Sequence, residues 1–203
     1  MVQQSANLVS VEPPVAVHDA DLSHEVGLFA ADLAFARETA GPVASAFLDR
    51  IPADWQEDHP VIDAMVVWLQ PGARMGSLAW THEPFPGVTD GARGRCNANR
   101  RAEHLAMVAG PSGVEFLVGE AAEAERSVVP RAGLLKRHER LEAARKAGAL
   151  DVQSVDPATP YRYGWGVFQR MRPAPHGGLA FWVRASRGDD RPLVNGVRNA
   201  VNI

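Results

Sequence analysis

Arg184 and Ser186 are the residues whose types and spacing most directly suggest chemistry. They stand two apart in Phe181-Trp182-Val183-Arg184-Ala185-Ser186, a stretch with the period of a β-strand. Leu179, Phe181, Val183 and Ala185 fall on one face, and Ala180, Trp182, Arg184 and Ser186 on the other. A guanidinium and a hydroxyl aimed into one cavity can bind a small carboxylate, because arginine offers paired donors in a fixed fork. The plain alternative is an outward strand face carrying an ordinary surface arginine and serine.

Few other residues compete with this pair. Cys96 lies among arginines that would lower its pKa, but no histidine stands with it in a nucleophile arrangement. Arg93, Arg95, Arg100 and Arg101 form a basic cluster suited to phosphate or nucleic acid, or simply a solvated patch. With a net charge of −3 over the chain, a nucleic-acid partner is not the expectation. No P-loop, dinucleotide-binding glycine pattern, zinc-ligand spacing or elbow serine occurs.

The elements that must position Arg184 and Ser186 belong to a chain of 203 residues, 46% hydrophobic and 22% charged, enough for one globular domain with a real core. A single cysteine excludes an intrachain disulfide, and the longest apolar run is far short of a membrane span. The expectation is a cytoplasmic protein with no membrane partner.

Residues 1–20, with Pro13–Pro14, read as an extended arm. Leu22, Val26, Phe29, Leu33, Ala36 and Ala40 follow helical spacing, and this predicts a helix that Gly41–Pro42 stops and a second one running to Leu48. Val61–Leu69 is apolar on both faces and suits a buried central strand. Ser77–His82 is a further strand, with Leu78, Trp80 and His82 on one face. Glu83–Ala98 is a long Gly/Pro-rich loop.

Arg101–Ala109 and Val114–Val118 make a hairpin about Gly110-Pro111-Ser112-Gly113. Residues 120–160 read as an insertion with a charged helix at Leu135–Ala147 and a loop at Asp151–Pro160. Tyr161–Gln169 is an aromatic strand preceding the Arg184 strand, and residues 189–203 form a polar tail. Helices first and short strands afterwards predict an α+β domain over residues 21–188, built on a sandwich or small barrel.

The segment Tyr161–Ser186 resembles the closing strands of the double-stranded β-helix in iron- and 2-oxoglutarate-dependent oxygenases. The matching elements are Val167-Phe168-Gln169-Arg170, the turn Pro173-Ala174-Pro175, and Phe181 to Ser186. Trp80-Thr81-His82-Glu83, followed by a long loop, resembles the place of the family's first metal ligands. The resemblance implies N-terminal helices packed on a jelly-roll core, with Fe(II) and 2-oxoglutarate as cofactors. It implies that Arg184 and Ser186 bind the far carboxylate of 2-oxoglutarate. His82 and His176 would be metal ligands, with Glu83 or Asp90 as the carboxylate of a facial triad. The residues depart from the family pattern at Pro84, where its acid would stand, and at Gln169, where its second histidine would stand.

Two functions from different classes follow. One is an oxygenase-like β-helix protein with a carboxylate pocket. The other is a non-enzymatic jelly-roll building block, such as a phage virion component, that forms homo-oligomers through its terminal arms.

Overall fold

The computed structural model describes residues 9–76, 79–81, 102–119, 134–164, 167–189, 191–198 and 201–202. Its strands are β1 (Ser10–Val11), β2 (Gly27–Ala31), β3 (Val61–Leu69), β4 (Glu103–Ala109), β5 (Val114–Val118), β6 (Asp151–Val155), β7 (Tyr161–Gly164), β8 (Phe168–Met171), β9 (Gly178–Arg187), β10 (Gly196–Arg198) and β11 (Val201–Asn202). The described helices are α1 (Asp19–Leu22), α2 (Leu33–Thr39), α3 (Pro42–Leu48), α4 (Ala53–Glu57) and α5 (Leu134–Lys146). None is long and apolar enough to cross a membrane.

The fold is mixed α+β, with two mostly antiparallel sheets. The larger runs β1-β7-β4-β9-β3-β2-β10, with β11 parallel to β3, and the smaller runs β6-β5-β8. The pairing is nested: β3 with β9, Thr81 with Gln169 of β8, β4 with β7, and β5 with β6. Each later strand thus returns antiparallel to an earlier one, outermost pair to innermost.

Three apolar layers follow from strand alternation. Ile62, Ala64, Val66, Leu105, Met107, Phe181, Val183 and Ala185 face α1–α4, meeting Leu22, Ala36, Phe47, Leu48 and Trp55. The opposite face of the same sheet, with Val67, Ala106, Val108, Ala180 and Trp182, meets Phe116, Val155 and Met171 of the smaller sheet. Phe168 and Leu117 turn outward from that smaller sheet and pack with Trp80, Leu150 and Leu141 of α5. Polar contacts reinforce this last docking. The Trp80 indole donates to Glu142 Oε1 at 2.5 Å, and Arg170 lies over the Trp80 ring while pairing with Glu115 and Glu142.

Several expected elements differ. The single helix through Phe29 is replaced by two helices flanking β2. Asp32 ends the extended segment by accepting from the Phe35 amide as the N-cap of α2, so that helix starts only at Leu33. Ala30 has φ +44 and its amide donates to Asp63 rather than along a helix. Asp151–Val155 is a strand, not a loop, because β5 offers it a full antiparallel register. The tail joins the larger sheet through β10 and β11, and Ser10–Val11 of the arm pairs with β7.

Candidate functional site

Strand register places the polar residues of the inter-sheet interior in two rows. Tyr163, His104 and Ser186 are cross-strand neighbours, and so are Tyr161, Ala106, Arg184 and Asp63. All seven are buried. Arg184 and Ser186 therefore share the inward face with Trp182, as their spacing predicts, and the Arg184 guanidinium lies 5.3 Å from the Trp182 ring.

Each of the two has a protein partner. Arg184 Nη2 donates to Asp63 Oδ2 at 2.8 Å, both side chains 1% exposed. Arg191 Nη2 donates to the same oxygen at 2.6 Å and also pairs with Asp189. Asp63 Oδ1 accepts from the Ala30 amide at 3.1 Å. Burial alone would raise the Asp63 pKa, but the two arginines outweigh it and hold the carboxyl below its usual range. Likewise, burial would lower the Arg184 pKa, and Asp63 more than reverses that.

Ser186 Oγ lies 2.9 Å from His104 Nδ1. Burial, reinforced by the positive charges of Arg184 and Arg191, pushes the His104 pKa well below its ordinary value. This favours the neutral imidazole, whose ring is tilted by 38° against Tyr163 at a centroid distance of 4.9 Å, and the Tyr163 hydroxyl accepts from Gln169 Nε2 at 3.5 Å. Gln169 thus reaches from the smaller sheet into the row that holds His104 and Ser186.

The carboxylate that Arg184 Nη2 holds in this arrangement is the chain's own, Asp63. His176 is exposed in the turn before β9, its Nδ1 3.1 Å from the Gly177 carbonyl. It lies at the other end of that strand, because six residues from Gly178 to Arg184 span roughly 20 Å. His176 and Arg184 are not brought together. His82, Glu83, Asp90, Cys96 and the arginines 93, 95, 100 and 101 lie outside the described residues. Trp80 turns toward α5, away from the interior that holds Arg184. Among the described residues no three His, Cys, Asp or Glu side chains gather in a metal-binding group.

Sequence reasoning missed Asp63, His104 and Gln169 as members of one site. For Asp63 a signal was present: it is the single charged residue in VIDAMVVWL, a run apolar on both faces, where an acid needs a buried partner. No family model, curated protein or solved structure matches this chain.

Proposed function

We propose that the chain is a double-stranded β-helix of the oxygenase type that works as a non-enzymatic jelly-roll component, its Arg184–Ser186 pair serving the barrel instead of a cofactor. The nested antiparallel pairing supports the jelly-roll part, because four pairs rolled together into two sheets are what such a fold requires. One observation carries the functional part: the carboxylate on Arg184 is the protein's own, supplied by Asp63 from the adjacent strand. A site built for an exchangeable dicarboxylate would hold its arginine ready, not closed by a fully buried ion pair. Assembly, as in a virion, is the finer form of this reading, and it is supported by exposed Leu193, Val194 and Val197 on and beside the edge strand β10.

Calorimetry of the full chain with 2-oxoglutarate and Fe(II), paired with a succinate-release assay, tests the reading. The expected result is neither binding nor turnover. Iron-dependent succinate formation that disappears in His82→Ala would overturn it in favour of the oxygenase. Light scattering tests the assembly form, which fails if the protein stays monomeric at all concentrations.

A further inference from the structure

Three turns leave the same end of the smaller sheet, because Val114 at the start of β5 pairs with both Val155 at the end of β6 and Met171 at the end of β8. Between them lies a cavity of about 430 Å³, within the usual range for small-molecule sites of about 300–1,000 Å³. Pro111, Pro157, Pro173 and Pro175 line it. Proline has a fixed φ and no N–H, so this wall is preformed and accepts an apolar body without burying an unpaired donor.

One cation is built into the same wall. The Arg172 amide donates to the Gly113 carbonyl at 2.8 Å, and the buried Ser112 hydroxyl donates to the Arg172 carbonyl at 2.8 Å. These bonds latch the β4–β5 turn to Arg172 and lay its guanidinium against Gly113. A Cβ at Gly113 would stand 2.6 Å from Arg172 Nε and closer still to Nη2, so a glycine is what leaves room for it. The acceptors of this guanidinium are the Val155 carbonyl and Asp156 Oδ1, both on Nη2 at 3.4 Å. Asp156 is 85% exposed, and so long and solvated a pair holds the arginine weakly. The other charge on the wall, Glu115, is matched by Arg170 at 2.8 Å. His176 turns its Nδ1 to the Gly177 carbonyl.

We propose that this cavity binds a small aromatic carboxylate, its carboxylate on the Arg172 guanidinium and its ring against the prolines. Guanidinium forks match planar carboxylates, and proline rings pack well on flat aromatic faces. The site lies at the opposite end of β9 from Arg184 and does not depend on whether the chain is an enzyme.

The test is an NMR titration of the isotope-labelled full chain with benzoate, with its neutral isostere benzamide and with acetate, which lacks the ring. Benzoate should give saturable shifts at Ser112, Gly113 and Arg172. Benzamide and acetate should each bind at least about tenfold more weakly, since each loses one of the two contacts. Arg172→Gln should abolish the benzoate response. Gly113→Ala covers the case in which that variant does not fold: Gly113 has no positive φ, and the atoms in its way are the mobile end of Arg172. It should fold, displace the guanidinium and weaken benzoate at least about fivefold. Asp156→Asn removes the competing carboxylate and should leave benzoate binding equal or tighter. The proposal is overturned by no saturable shift up to the solubility of benzoate, by benzamide or acetate binding as well as benzoate, by undiminished binding in a folded Arg172 or Gly113 variant, or by weaker binding in Asp156→Asn.

Discussion

Replacing Asp63 with alanine removes one carboxylate and strands two guanidiniums. Arg184 is 1% exposed and cannot turn to water, while Arg191, a quarter exposed, keeps Asp189. Breaking a buried pair by deleting one partner costs about 3–5 kcal/mol, because the surviving charge stays desolvated. The Ala30 amide also loses its acceptor, at a strained φ of +44, which adds about 1–3 kcal/mol if the amide stays buried.

The sum rivals the whole stability of a typical domain, roughly 5–15 kcal/mol. Asp63→Ala should therefore unfold at much lower urea with the slope unchanged. Arg184→Met alone should cost less than Asp63→Ala, since Arg191 still neutralises the carboxylate. The double variant Asp63→Ala/Arg184→Met should recover part of the loss, giving a coupling energy of at least about 2 kcal/mol in the cycle. Additive losses, or an Asp63→Ala cost below about 1 kcal/mol, would refute the claim that this pair is a buried, mutually dependent lock.

Two further outcomes follow from the packing around the helices. The hydrogen bond from Arg145, with help from the Trp80 indole and Arg170, lowers the Glu142 pKa to about 2 against burial. A depressed carboxyl contributes stability above its unfolded pKa, and that contribution is lost as pH falls from about 4.5 toward 2. Glu142→Gln should flatten this acid limb in pH-dependent melting, and an unchanged limb would show that α5 docks without it. At Gly41, an added Cβ would stand 2.6 Å from both the Glu25 carboxylate and the His24 carbonyl. Since Glu25 Oε1 accepts from the Val43 amide at 2.6 Å to cap α3, Gly41→Ala should cost about 1–2 kcal/mol in urea melts, and a neutral result would mean the cap is not held there.

The sequence by itself determined the strands whose pattern is strong: Val61–Leu69 from its unbroken apolar run, Glu103–Ala109 and Val114–Val118 from theirs, and Gly178–Arg187 from its alternation. The hairpin expected of Glu103–Ala109 and Val114–Val118 does not form, because the first pairs with β7 and β9 in the larger sheet and the second with β6 and β8 in the smaller. The common direction of Trp182, Arg184 and Ser186 followed from period two alone. Which surroundings that face meets was a tertiary matter, since both faces of β9 are covered, one by helices and one by the smaller sheet.

Gly27–Ala31 carries helical spacing from Leu22 to Leu33, yet it pairs as a strand because β3 and β10 supply its backbone partners and Asp63 takes the Ala30 amide. Short tail strands such as Val201–Asn202 carry no pattern of their own and form only on an existing edge. The ion pair that decides the reading of Arg184 joins residues 121 apart. Spacing along a chain fixes where neighbouring side chains point, but a buried charge is matched only when folding brings a distant strand alongside it.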